Sequence, residues 1–171
     1  MIHIRPERFA DIEAVRAVNT AAFGRRTEAS LVDRLRDEAR PIVSLVAVEG
    51  DEIVGHILFT PVMLEGHDDL MLMALGPMAV RPERQRRGTG SELVLWGLDA
   101  CERLGCQAAF VLGEPRYYRR FRFEPASRFG IVSEYENAGD AFMAQELAEG
   151  ALEGRSGTVR YHRAFSEQSP D

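Results

Sequence analysis

Seven consecutive residues, Gln85-Arg86-Arg87-Gly88-Thr89-Gly90-Ser91, carry the sharpest chemical signal in the chain. They stand between an apolar run ending at Met78-Ala79-Val80 and a helical pattern bearing Leu93 and Trp96. Two glycines separated by one residue let the backbone approach a bulky anion closely. A helix starting here turns its unpaired N–H groups and the positive end of its dipole toward the same point. The hydroxyls of Thr89 and Ser91 add two donors. The competing reading is a surface loop with a glycine-rich helix start, and the strand before and helix after favour the anion site. A P-loop requires lysine, and the chain has none; a dinucleotide fingerprint requires a third glycine where Leu93 stands.

The remaining reactive residue types exclude more than they suggest. Twenty-one basic residues, all arginine, face 27 acidic ones for a net charge of −6. A uniform choice of arginine fits codon bias, and a net acidic chain argues against a general binder of nucleic-acid backbone. The average hides a contrast. Residues 81–87 hold four arginines and one glutamate, and residues 116–122 hold four arginines and no acid. A polyanionic ligand would meet a positive mouth on a negative protein, with salt-sensitive affinity carried by Arg86, Arg87, Arg119 and Arg120. Cys101 and Cys106 have neither the redox-pair nor the zinc spacing and read as reduced small hydrophobes. His3, His56, His67 and His162 are scattered, so no metal site is expected. No apolar run reaches 18 residues, and residues 1–6 lack the apolar stretch of a signal peptide; the expectation is a cytoplasmic protein without a membrane partner.

The frame for these residues follows from periodicity. Residues 2–5 read as a strand stopped by Pro6, and Phe9, Ile12, Val15, Val18 and Ala22 as the apolar face of a helix ending at Gly24. Thr27 is expected to cap a second helix with Leu31 and Leu35 inward. Runs 42–48 and 53–59 form a hairpin about Gly50-Asp51. The strand 70–80 contains Gly76-Pro77, and proline there implies an edge, a bulge or a gap in the ladder. A helix over 89–104 ends at Gly105, followed by a strand over 108–112 and a short aromatic-basic helix from Pro115. Further strands are expected near 130–133, 142–147 and 158–162. The order predicts an α/β fold with a mixed sheet and no regular double winding, in one domain over residues 1–165 with a polar tail, 166–171.

With these elements around it, Gln85-x-x-Gly88-x-Gly90 resembles the acetyl-CoA signature [QR]-x-x-G-x-[GA] of the GCN5-related N-acetyltransferase (GNAT) superfamily. Tyr118-Arg119-Arg120-Phe121-Arg122-Phe123 is similar to that family's Tyr-x-x-x-Gly-Phe, with Arg122 in the glycine position. Residues 75–80 and 111–118, together with Ala22-Phe23-Gly24, Glu28 and the stretch 157–161, resemble its bacterial YhbS-type branch of predicted N-acetyltransferases. The resemblance implies a mostly antiparallel central sheet flanked by helices and splayed between strands four and five, with the pantetheine arm of acetyl-CoA in the gap. It assigns the backbone of Met78, Ala79 and Val80 to pantetheine, and Gln85, Arg86, Arg87, Gly88, Thr89, Gly90 and Ser91 to the pyrophosphate.

The implied reaction is transfer of an acetyl group to a primary amine of a small molecule or peptide. An amine with a pKa of about 10.4 is almost wholly protonated at neutral pH, so a proton must be removed before attack. Strand-four N–H groups can stabilise the developing oxyanion, and the resemblance gives Tyr118 the role of proton donor to the leaving thiolate; its alternative is aromatic packing beside Tyr117, Phe121 and Phe123. Many relatives carry a glutamate on strand four, but residues 72–80 contain no acid. Glu28, His56 and Glu114 are the candidate bases, with a water chain as the alternative. The asparagine that often precedes the family tyrosine by seven residues is Val111 here. The missing acid keeps open a catalytically silent acyl-CoA-binding or sensing module, and a nucleotide-phosphate binder is a third reading. A homodimer is an expectation from the family alone.

Overall fold

The computed structural model describes residues 1–135 and 138–168. Strand β1 (Ile2–Pro6) leads through a single 3-10 turn, Phe9–Asp11, into helices α1 (Ile12–Phe23) and α2 (Thr27–Glu38). The hairpin β2 (Val43–Glu49) and β3 (Glu52–Leu64) turns at Gly50-Asp51 as expected. Strand β4 (Leu72–Val80) then feeds helix α3 (Thr89–Leu104), which crosses to β5 (Ala108–Leu112) parallel to β4. A short helix α4 (Pro115–Arg119), strand β6 (Glu124–Pro125), β7 (Ile131–Ser133), β8 (Phe142–Glu146) and β9 (Gly157–Arg160) complete the order. The sheet runs β1-β2-β3-β4-β5-β8-β6, antiparallel except at β4–β5, and the far end of β3 pairs with β9, which carries β7. This is the mixed sheet that the element order implied, and the mostly antiparallel, helix-flanked arrangement that the family resemblance implied.

Each face of the sheet is buried by helices. Leu93, Val94, Leu98 and Cys101 of α3 pack with Val54, Ile57, Phe59 and Met73 on one side. On the other, Val15 and Val18 of α1 and Leu31, Val32 and Leu35 of α2 pack with Val46 and Leu58. Gly97 lets α3 lie directly on β3: a Cβ there would stand 2.2 Å from Phe59 Cε1. Replacing it with any larger residue forces that ring or the helix to move. No helix among the described residues is long and apolar enough to cross a membrane.

The structure corrects three expectations. Phe9 does not join the apolar face of the first helix; it is 90% exposed in the preceding turn. The reason is local electrostatics. The Asp11 carboxylate accepts from Arg5 (2.7 and 3.1 Å) and from the Arg8 N–H (2.7 Å), which closes the turn and delays the helix to Ile12. Thr27 is the first residue of α2 rather than its cap, which is Arg26. The final strand ends at Arg160 instead of reaching His162, whose Nδ1 accepts from the Ala164 N–H at 3.0 Å and starts a separate turn. In the polar tail, Glu167 bonds Arg34 at 2.7 Å and Gln168 donates to the Phe165 carbonyl at 2.8 Å; its last residues, 169–171, lie outside the described residues.

Candidate active site

The β4–β5 ladder covers only four residue pairs, from Leu72–Ala108 to Leu75–Val111. Beyond Leu75, β4 continues through Gly76-Pro77 to Val80 and stays paired with β3 alone, as Met78–Ile57, Ala79–His56 and Val80–Gly55. On the opposite side β5 ends at Leu112 and the chain turns into α4. The two strands therefore splay at Gly76-Pro77, where proline had implied an edge, a bulge or a gap, and the β3–β4 register also shifts there, as at a bulge. Backbone groups of residues 76–80 that face away from β3 have no strand partner, so an extended ligand can occupy that edge.

One end of the gap opens onto a cleft of about 490 Å³ lined by Val80, Gln85, Arg86, Gly88, Ser91 and Arg120, among others. Gly88 caps α3 in the left-handed region at φ 84°, and Arg86 shares that region at φ 64°. This backbone turns the first N–H groups of the 16-residue helix into the cleft, where no carbonyl of the preceding turn can reach them. The Thr89 hydroxyl is buried without a hydrogen-bond partner among the described residues. Gln85 donates from Nε2 to the Val80 carbonyl at 3.0 Å and so straps the loop to the end of β4.

The arginines of the cluster divide by task. Arg84 bonds Glu49 at 2.9 Å and Arg81 faces Glu52 at 3.3 Å. Arg86 and Arg120 line the cleft, and neither is paired with an acid in the described structure. Tyr117, absent from the sequence-derived site, closes the cleft: its hydroxyl lies 3.3 Å from Ser91 Oγ, and Arg120 Cζ lies 5.3 Å from its ring centroid. An open helix terminus, free N–H groups and uncommitted arginines fit a pyrophosphate, and the unpaired edge of β4 fits the amide-bearing arm of acetyl-CoA.

The other end of the gap opens into a cavity of about 370 Å³ bounded by Leu75, Met78, Val111 and Tyr118. Tyr118 is 8% exposed, and burial, helped by Tyr117, pushes its phenol up to about 12. It stays protonated at neutral pH, as a proton donor must. Its ring lies on Gly113, where a Cβ would stand 2.4 Å from Tyr118 Cε2, and it meets Tyr117 and Phe123 edge-on at 5.0 and 5.8 Å. Consecutive residues thus face the two ends of the gap, Tyr117 the phosphate cleft and Tyr118 the cavity.

The candidate bases lie in three different surroundings. Glu28 lines the cavity, and Arg25 holds both its oxygens at 2.9 and 2.6 Å. Glu114 is exposed and caps α4, its Oε1 accepting from the Arg116 N–H at 3.2 Å; it does not line the cavity. His56 is fully buried on the α1 side of β3, outside the cavity lining. Asn19 Nδ2, which also donates to the Val15 carbonyl at 3.0 Å, points at His56 Nδ1 at 3.3 Å, so Nδ1 accepts. His56 Nε2 then donates to Ser44 Oγ at 2.9 Å, and that hydroxyl donates to Glu7 Oε1 at 2.9 Å. Burial, with a smaller contribution from Arg36 against the opposing pull of Glu7, lowers the imidazole to about 4. It is neutral and engaged on both nitrogens.

Sequence reasoning passed over the residues of the cavity's outer wall: Phe23 at the end of α1, Tyr135 after β7, and Tyr161, Phe165 and Gln168 after β9. Phe23 and Tyr161 lie in segments that carry the family resemblance, but their spacing carries no period, and nothing in the sequence gave any of the five a place in the site.

Comparison with known proteins agrees with this arrangement. A sequence model of the Acetyltransferase (GNAT) family matches residues 12–123. The N-acetyltransferase YhbS of Escherichia coli strain K12 is 33% identical over 164 residues, 95% of this chain and 98% of its own. YjhQ of the same strain, also an N-acetyltransferase, is 44% identical over 121 residues, 69% of this chain and 67% of its own. Among solved structures, Escherichia coli YhbS in complex with CoA superposes with a TM-score of 0.90 at 31% identity, covering 97% of this chain and 92% of that one. A GNAT family acetyltransferase from Brucella melitensis in complex with acetyl-CoA gives a TM-score of 0.79 at 33% identity, covering 96% and 98%.

Proposed function

The chain belongs to the acetyltransferase (GNAT) family, and on that premise we propose that it is an N-acetyltransferase that moves the acetyl group of acetyl-CoA to a primary amine by direct attack. The observation that carries this reading is the gap between β4 and β5, which has an anion cleft at one end and a cavity bordered by Tyr118 at the other. When bound, acetyl-CoA supplies a thioester whose carbonyl is open to an amine. The N–H groups at the start of α3 bind the pyrophosphate, with Arg86 and Arg120 adding charge. The free edge of Gly76 to Val80 orients the pantetheine arm by backbone pairing.

Tyr118 holds a proton at its phenol oxygen and gives it to the departing sulfur; a group that keeps its proton up to about pH 12 does not lose it to bulk water first. Glu28 lines the cavity with both oxygens held by Arg25, so the acceptor's proton leaves through a water chain to bulk solvent. Glu114 contributes by capping the helix that carries Tyr118. His56, neutral and hydrogen-bonded on both nitrogens, braces α1 against β2 and β3.

The test is release of free CoA from acetyl-CoA over a panel of amines, run beside calorimetric titration of CoA. Amine-dependent thiol release is the expected result. Tight CoA binding with no release for any amine would leave a silent acyl-CoA-binding module. Tighter binding of ATP than of CoA would overturn the cofactor assignment.

A further inference from the structure

On the acetyltransferase reading, donor and acceptor enter the gap from opposite ends, and the surface at the donor end is more positive than CoA requires. We propose that α4 and the turn after it, with Arg116, Arg119 and Arg122 beside the phosphate cleft, form a docking surface for a small acidic carrier protein that presents the acyl group on a phosphopantetheine arm. This inference rests on the acetyltransferase reading above and concerns its donor.

The first observation is charge left unpaired. Most arginines of the chain are held by an acid, from Arg5 with Asp11 at 2.7 Å to Arg163 with Glu38 at 3.1 Å. Arg86, Arg87, Arg116, Arg119, Arg120 and Arg122 are exposed and make no ion pair among the described residues. Arg86 and Arg120 line the cleft; the other four do not. Arg119 and Arg120 stand three and four residues after Arg116, so the three share one face of α4, and like charges so placed repel. That face is continuous with the cleft through Arg120, which lies over the Tyr117 ring.

The second observation is backbone strain in the same turn. Arg122 has φ 72°, in the left-handed region, at the position where the family motif carries glycine. Its N–H donates to the Arg119 carbonyl at 3.1 Å, and that of Phe123 to the Tyr118 carbonyl at 3.3 Å. Glycine closes a helix this way without strain, and an arginine does not. The chain therefore holds a fourth positive charge here at a conformational cost that no ion pair of its guanidinium offsets among the described residues.

The third observation decides the partner. The pyrophosphate of CoA is met by the start of α3, and its single 3′-phosphate is satisfied by one or two guanidinium forks. The surplus suits a broader anion of limited extent. Outside residues 81–87 and 116–122 the chain holds 13 arginines against 26 acidic residues, so a nucleic acid or membrane reaching past the patch would meet repulsion. No arginine lines the cavity at the Tyr118 end, so an acidic partner approaches from the donor side. A carrier protein that brings its own arm fits that side: its phosphate reaches the N–H groups of α3, and its amides reach the free edge of β4. In the transfer, the acceptor nitrogen bonds to the acyl carbon as the bond to the arm's sulfur breaks, and the sulfur leaves as a thiol with the Tyr118 proton. The nitrogen releases one proton to solvent before attack and a second after it, which restores the phenol.

The experiment compares donors on the full chain, using the amine that gives most thiol release from acetyl-CoA. The donors are acetylated acyl carrier protein, acetyl-CoA and acetyl-dephospho-CoA. Transfer from the carrier is expected. Arg116→Glu should lower kcat/KM with the carrier about tenfold at low salt, a loss that shrinks as salt is added, and change it less than about twofold with acetyl-CoA. Arg122→Gly should lower carrier use about threefold while raising the Tm by about 2–4 °C, which separates lost docking from lost folding. No transfer from the carrier while acetyl-CoA is used would overturn the docking surface and leave the acetyltransferase reading intact. Equal losses with carrier and acetyl-CoA, absent with acetyl-dephospho-CoA, would assign these arginines to the 3′-phosphate and overturn the proposal. Tighter binding of a short DNA duplex or of phosphatidylglycerol vesicles than of the carrier would overturn it as well. Thiol release from neither donor with any amine would overturn the acetyltransferase reading. Calorimetry then decides the surface alone: carrier binding weakened in Arg116→Glu supports it, and no binding overturns it.

Discussion

The phosphate cleft and the acceptor cavity lie at opposite ends of one gap, yet they are built by different means. The cleft comes from a single stretch, Val80 to Ser91, with Tyr117 and Arg120 added from α4. The cavity is drawn from α1, α2, β4, β5, α4 and segments after β7 and β9. Backbone donors at a helix start recognise a phosphate group whatever lies at the other end of the ligand. Aromatic walls recognise one molecular shape, and changing a single ring changes the preference. On the proposed reading the cofactor end should therefore tolerate side-chain change better than the acceptor end.

The strongest way to break that comparison is at Tyr118. Tyr118→Phe should lower kcat by about 10²-fold or more and leave the Kd for CoA unchanged, measured by thiol release and calorimetry side by side. Weakened CoA binding would move Tyr118 to the cofactor end, and unchanged turnover would remove it from the chemistry.

The next largest effect tests the buried polar layer between α1 and the sheet. Asn19 of α1, Ser44 of β2 and His56 of β3 form a buried network with Glu7 and Arg36, and α1 ends at the cavity residue Phe23. The His56 imidazole is held near 4 against an ordinary 6.5, so between those values the unfolded chain takes up a proton that the folded chain refuses. Stability therefore falls as pH drops from about 6.5 through about 4, by about 3 kcal/mol, and this contribution levels off below. Denaturant titration at stepped pH should show that acid limb, and its loss in His56→Gln, relative to the variant's own value at pH 7, identifies the group.

A smaller effect is expected at Gly113, which belongs to neither end but sets the position of Tyr118. Gly113→Ala drives a Cβ to 2.4 Å from that ring. The expected cost is about 1–3 kcal/mol of stability, with reduced turnover and CoA affinity retained. A variant as active as the parent would mean that the ring can shift without consequence.

The smallest effects distinguish the arginines. Arg86→Ala and Arg120→Ala should each weaken CoA binding about two- to fivefold at low salt, and the difference should shrink as salt is added. Arg84→Ala, already bonded to Glu49, should change it less. Equal losses at all three positions would point to a diffuse field instead of a shaped cleft.

What could be read from the chain follows the same division. The helix period over 89–104, the glycine at 105 and the hairpin at Gly50-Asp51 are local facts, and they appear where the pattern put them. Gly76-Pro77 signalled a break in pairing because proline has no N–H to give, and the β4–β5 ladder does end at Leu75. Phe9 misled because its spacing fits a helix, whereas a salt bridge from Arg5 to Asp11 holds the preceding turn apart. The family motif singled out Tyr118, but no local signal gave Tyr117 a place in the site; only the tertiary structure sets its hydroxyl beside Ser91 while the Tyr118 ring lies on Gly113.

The sequence by itself determined the elements, their order and the contiguous loop from Gln85 to Ser91, because hydrogen-bonded periodicity and helix-terminal chemistry act within a few residues. Only the tertiary structure decided which arginines remain uncommitted, that Glu114 caps a helix while Glu28 lines the cavity, and that Phe23, Tyr135, Tyr161 and Phe165 share one wall. Those outcomes depend on which distant surfaces the sheet and its helices press together, and contact across more than a hundred residues of chain leaves no periodic trace in the sequence.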